Sequence, residues 1–163
     1  MRYHNITKCD MKNGDGLRVV LWVNYCEHRC LNCHNPQTWN ENNGIEFDGA
    51  AKIELYEELE KDYISGLTLS GGDPMAYRNR EEILELIKDI KIKFPKKTIL
   101  CYTGYLWEDI INTEHVNYID VIVDGKYIDC LNTPSPKWRG SRNQRVIDVK
   151  QTLKQGDIVL WEE

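Results

Sequence analysis

Three cysteines stand within eight residues in the stretch CEHRCLNC, Cys26 to Cys33, separated by gaps of three and two residues. Gaps that short let one loop wrap three thiolates around a single metal centre. A structural zinc site is tetrahedral and closed by four ligands, and the fourth is awkward to supply. His34 abuts Cys33 and would have to turn back sharply, Cys9 lies seventeen residues upstream, and Cys101 and Cys130 fall in or after later strands. A 4Fe-4S cluster held by three cysteines leaves one iron without a protein ligand, whereas an electron carrier ties all four. That open iron is a binding place for a small molecule. His28 and Arg29, inside the loop, suit orienting it or tuning a cluster better than ligating one.

Two further stretches carry usable chemistry. In LTLSGGDP, Gly71 and Gly72 lack Cβ atoms and let backbone approach a ligand, and Asp73 can accept a charge-assisted hydrogen bond from an ammonium group. The plain reading is a tight turn capped by Asp73 with Pro74 after it. In DGK, Asp124 suits a ribose hydroxyl and Lys126 a carboxylate, against the alternative of a D-G turn with an exposed lysine. Thr103 and Gly104 are additional candidates. Trp39, Trp107 and Trp138 suit packing as well as partner contact.

These groups need elements to bring them together. RVVLWV (Arg18 to Val23), ISGLTLS (Ile64 to Ser70), TILCY (Thr98 to Tyr102) and IDVIV (Ile119 to Val123) are short apolar, β-branched runs of the kind buried in a parallel sheet. Between them, Asp48 caps a helix bearing Ala51, Leu55, Leu59 and Tyr63 on one face. A second helix from Asn79 carries Ile83, Ile87, Ile90 and Phe94 and stops at Pro95, and a short helix covers Leu106 to Ile111. Alternating strands and helices predict an α/β fold in which ligands gather beyond the carboxyl ends of the strands. Cys26, Gly71 with Asp73, Thr103, and Asp124 with Lys126 each follow one of the four strands, so the topology predicts a shared edge.

The bulk properties narrow the class. A length of 163 residues fits one domain over 1–163 and falls short of the roughly 250 residues of a complete eightfold barrel. No apolar run reaches the ~18 residues that cross a bilayer, and MRYHNITKCD lacks the apolar core of a signal peptide. The expectation is a cytoplasmic protein with reduced thiols and no membrane partner. A net charge of −5 argues against nucleic acid as a partner. The one basic stretch, PKWRGSRNQR from Pro136 to Arg145, reads as a solvated loop.

The CxxxCxxC spacing after a buried strand resembles the signature of the radical S-adenosylmethionine enzymes. The longer stretch NGDGLRVVLWVNYCEHRCLNCHNPQTW, Asn13 to Trp39, is similar to the activating enzymes of glycyl-radical proteins. LTLSGGDP, CYTGY, DVIVDGKY and WRGSRNQRVID extend the likeness over most of the chain and look most like activases of anaerobic ribonucleoside-triphosphate reductase. The resemblance implies a partial parallel β/α barrel of the radical SAM type and an oxidoreductase in which Cys26, Cys30 and Cys33 hold a 4Fe-4S cluster with one open iron. S-adenosylmethionine would be the second cofactor, an external one-electron donor would reduce the cluster, and a glycine loop of the reductase would be the substrate. Backbone of Asn32, Cys33 and His34 would border the adenine, although many relatives carry an aromatic residue where this chain has Asn32. The acidic motif would bring Asp73, with Gly71 and Gly72, to the methionyl amine. Asp124 would face ribose or amine, and Lys126 the methionyl carboxylate. Pyruvate formate-lyase is an alternative target, and a zinc-stabilised interaction module an alternative of another class.

Overall fold

The computed structural model describes residues 1–132 and 137–161. The four apolar runs become β2 (Leu17–Val23), β4 (Ile64–Gly71), β5 (Thr98–Tyr102) and β6 (Val121–Asp124), paired in parallel and in sequence order. Around them stand elements the apolar pattern does not announce. They are β1 (Arg2–Asp10), antiparallel to β2; β3 (Ile45–Glu46), antiparallel to β1; and β7 (Arg145–Asp148), antiparallel to β6. The seven-stranded sheet therefore runs β3-β1-β2-β4-β5-β6-β7, a mixed α/β arrangement with a parallel centre.

Helix α1 (Gly49–Glu60) starts where the Asp48 carboxylate accepts a 3.0 Å hydrogen bond from the Ala51 amide, satisfying one of the orphan donors of the first turn. It ends before Tyr63, which is exposed and not part of the helical face. Helix α2 (Arg80–Lys93) buries Ile83, Leu86, Ile87 and Ile90, places Glu81 and Glu82 in its first turn and Lys91 and Lys93 in its last, and so complements its own dipole. The short α3 (Trp107–Ile110) and α4 (Val149–Gln155) complete the set.

Strands joined by right-handed crossovers in an order that never reverses place their helices on the same face. The packing bears this out. Val19, Leu21 and Val23 of β2, Leu67 and Leu69 of β4, Ile99 and Cys101 of β5 and Ile122 of β6 share one core with Leu55 and Leu59 of α1, Ile87 and Ile90 of α2, and Ile110 of α3. Each such side chain, fully buried, contributes on the order of 2 kcal/mol. The alternate residues, pointing the other way, are of a different character. Arg18, Trp22, Thr68, Ser70 and Tyr102 make that second face polar toward one end, with Leu100, Val121 and Val123 as a smaller apolar patch. Arg18 is 3% exposed, and its guanidinium donates to Thr68 Oγ1, Thr98 Oγ1 and the carbonyls of Asp15, Leu67 and Thr98. All five of its N–H donors are thereby occupied. Among the described residues no helix is long and apolar enough to cross a membrane.

Candidate metal centre

The cysteine loop leaves the carboxyl end of β2 and is stitched to the turn after β4. Gly72 N donates to Val23 O, Asp73 N to Tyr25 O, and the Asn79 amide bonds both Asn24 O and Asp73 O at 2.8 Å. Gly71 (φ +101°) has a second reason to lack a side chain, since a Cβ there would stand 2.6 Å from Val23 O. The glycines expected to admit a ligand thus first admit the backbone of the cysteine loop. Within that loop Tyr25 (φ +76°), Arg29 (φ +47°) and Asn32 (φ +55°) adopt left-handed backbone, costing roughly 1–2 kcal/mol for the first two. These turns bend the chain tightly enough to bring three sulfurs to one wall.

Cys26, Cys30 and Cys33 are free, partly buried, and line one cavity of about 670 Å³ with His28, His34, Gly71, Gly72, Asp73, Thr103 and Gly104. The Asn35 amide donates to Cys33 Sγ at 3.3 Å. Burial, reinforced by the Asp73 carboxylate, pushes the Cys26 thiol up to about 12 against the pull of the His28 and Arg29 N–H groups. Burial also raises Cys30. Thiolates in such a place require a compensating positive charge, which a bound metal supplies while displacing the protons. Among the described residues no three His, Cys, Asp or Glu side chains close on a single ion. The remaining thiols stand apart: Cys9 and Cys130 are exposed, and Cys101 is buried in the core, where burial drives its thiol well up.

Asp73 is 1% exposed and collects four donors: His28 Nε2 at 2.7 Å, Thr103 Oγ1 at 3.1 Å, Gly104 N at 2.9 Å and Met75 N at 2.8 Å. The parallel sheet has therefore joined the first three strand ends at one point. The fourth behaves differently from its expectation. Asp124 is fully buried, lies outside the cavity lining, and is bound by the Arg145 guanidinium and the Trp107 amide, so its carboxylate has protein partners where a ribose was expected. Lys126 is exposed; its charge acts on Cys30, but its side chain is not in the cavity wall. Asn32 points its side chain to Asp129 at 2.8 Å.

A family model described as a 4Fe-4S single cluster domain matches residues 12–147 of this chain. A protein of Enterobacteria phage T4 is 50% identical over 147 residues, covering 90% of this chain and 93% of its own length. One from Escherichia coli K12 is 39% identical over 150 residues, covering 90% and 97%. One from Vibrio cholerae is 37% identical over 148 residues, covering 88% and 96%. All three are named anaerobic ribonucleoside-triphosphate reductase-activating protein. This chain belongs to that family.

The iron-sulfur family segment also contains residues whose part in the cavity no motif announced. Trp22, Ser70 and Tyr102 project from the polar face of the sheet into the cavity, and Lys12 and Asn13 border it. Trp39 lies on its wall with the indole N–H buried and without a hydrogen-bond partner among the described residues. The basic stretch is not a solvated loop. Trp138, Arg139, Gly140 and Gln144 line the cavity, Ser141 is fully buried, and Arg145 opens β7; Pro136 lies outside the described residues. The signal available in the sequence was the polar residue at alternate positions of otherwise apolar strands, as at Thr68 and Ser70. Trp107 is core packing.

Proposed function

We propose that this chain activates anaerobic ribonucleoside-triphosphate reductase as a radical S-adenosylmethionine enzyme, with a 4Fe-4S cluster on Cys26, Cys30 and Cys33. The observation that carries the reading is that these three free sulfurs, on a loop of the right spacing, line one open cavity at the carboxyl edge of a parallel sheet. Family membership supports the target, and the orphaned Trp39 N–H on the same wall supports a ligand rich in acceptors. The unreversed strand order with helices on one face supports reading the sheet as a partial barrel of the radical SAM type.

Cys26, Cys30 and Cys33 would hold the cluster, which would supply one-electron reductive cleavage of a carbon-sulfur bond of S-adenosylmethionine, the electron coming from an external donor. The protein's own task is binding, orientation and exclusion of water. Backbone of Cys33 and His34 borders the adenine, and the Gly71-Gly72 turn receives the methionyl end. Lys126, an exposed cation beside the loop, is the partner for the methionyl carboxylate. Trp22, Ser70 and Tyr102 form the floor. The open side of the cavity would admit a glycine of the reductase, and the chemistry supplied there would remove its Cα hydrogen, with 5′-deoxyadenosine as the by-product. No residue acts as a general acid or base.

The test is to reconstitute the protein anaerobically, reduce it, and add S-adenosylmethionine and the reductase. A brown sample, 5′-deoxyadenosine and a glycine-centred EPR signal are expected. A colourless zinc protein would refute the cluster, and nucleoside without the glycyl signal would refute the partner. Cys30→Ala abolishes cleavage, whereas Cys130→Ala leaves the iron in place.

A further inference from the structure

We propose that Asp73 serves the site as a positioning residue, clasping His28 to hold the cysteine loop at the carboxyl edge of the sheet. This rests on the reading of the loop as an iron-sulfur site. The two residues are 45 positions apart and meet because β2 and β4 are parallel neighbours. The His28 side chain is 6% exposed and lies midway between Cys26 and Cys30. Its Nε2 carries the proton in this bond, because a carboxylate only accepts.

Three features make the contact a clasp. The imidazole packs edge-on against Tyr105, ring centroids 4.7 Å apart, so it is held on its side as well as at its tip. It also lies against Gly104, where a Cβ would come within 2.6 Å of Nε2. Gly104 has no left-handed backbone to explain it, so the imidazole is what requires glycine there. Finally, the Asp73 oxygen facing His28 also receives Thr103 Oγ1 and Gly104 N, tying the loop to the turns after β4 and β5 at a single atom. Met75 N on its other oxygen and an exposure of 1% fix the carboxylate itself in place. Partners of this kind, behind the ligating atoms, fix where the ligands stand.

The experiment measures amide hydrogen exchange over residues 26–33 in the full chain, before and after cluster reconstitution, together with iron loss to a chelator. His28→Leu, Asp73→Asn and Gly104→Ala should each speed loop exchange and iron loss by about tenfold or more. His28→Gln, which keeps an N–H donor at similar reach, should restore most of the protection. The double variant His28→Leu/Asp73→Asn should be no worse than the worse single one. Unchanged loop exchange in the single variants, or a double variant whose effect is the product of the two, would overturn the clasp. A raised KM for S-adenosylmethionine in Asp73→Asn, with exchange and iron retention unchanged, would return the carboxylate to the ammonium and overturn it as well. Loosened exchange in a protein that takes up no iron-sulfur cluster would leave the clasp standing and remove the metal reading instead.

Discussion

Asp73 and Asp124 are the same residue type at the same edge of the same sheet, one after β4 and the other closing β6, and both are buried. Each also accepts a backbone amide, Asp73 from Met75 N in the turn that follows it and Asp124 from Trp107 N at the start of α3, which precedes it in the chain. They differ in the side chain each one holds. Asp73 grips His28 of the cysteine loop, while Asp124 grips Arg145 at the start of β7, with Glu108 as a second, exposed acceptor of the same guanidinium. One acid fastens the site and the other fastens the border of the sheet. An acidic residue at a strand's carboxyl end is therefore not by itself a ligand; what decides its role is the element that reaches it.

The contrast can be broken most directly in stability. Arg145→Leu strands the Asp124 carboxylate in the interior and should cost about 3 kcal/mol of unfolding free energy in urea. A loss below ~1 kcal/mol would mean that the pair does not secure β7. In activity the order should reverse. His28→Leu should lower the yield of 5′-deoxyadenosine per folded molecule by about tenfold or more, whereas Arg145→Leu should change it by less than about twofold. Equal losses would erase the distinction between the two acids.

A third acid sharpens the comparison from the opposite end of β6. Asp120 is buried, which opposes its ionisation, but Lys150 and Lys91, each at 2.6 Å, and the Ile99 amide at 2.8 Å outweigh that and hold its carboxyl below the ordinary value. A depressed folded-state value means that its stabilisation is complete above the unfolded value of about 4 and is lost as the pH falls through the folded one. Urea midpoints should therefore drop more steeply below about pH 4 in the native protein than in Asp120→Asn. Matching slopes would show that the two lysines do not stabilise the charge. The smallest effect belongs to Glu108→Gln, which removes only the exposed half of the Arg145 network and should cost less than about 1 kcal/mol.

What the sequence disclosed follows from periodicity. Ala51, Leu55 and Leu59, and Ile83, Ile87 and Ile90, recur at helical spacing and are buried as expected. The four parallel strands read as apolar runs because one face packs under the helices and most residues of the other are buried as well. β1 stayed hidden because RYHNITKCD leaves half its side chains toward solvent and pairs antiparallel, and β7 because four residues make too short a pattern. At the site, the spacing of the cysteines pointed to one shared place, and the three do line one cavity. The turn after β4 was legible as a turn, but the identity of its partner was not, since nothing local in His28 or Asp73 indicates which strand ends meet. The partner of Asp124 stayed hidden for the same reason, because Arg145 follows it in sequence only after a long excursion.

Strand β7 has a larger consequence than holding one ion pair. By pairing antiparallel with β6 it occupies the hydrogen-bonding edge onto which another parallel strand and helix would add, so the parallel run ends there and the described strands form an open sheet, not a ring. A small molecule can be sealed inside a ring, but a polypeptide loop has two ends that must both leave by the way they came. On the function proposed above, an open sheet would let such a loop enter without threading, its tip reaching the cavity while the rest of its protein stays outside.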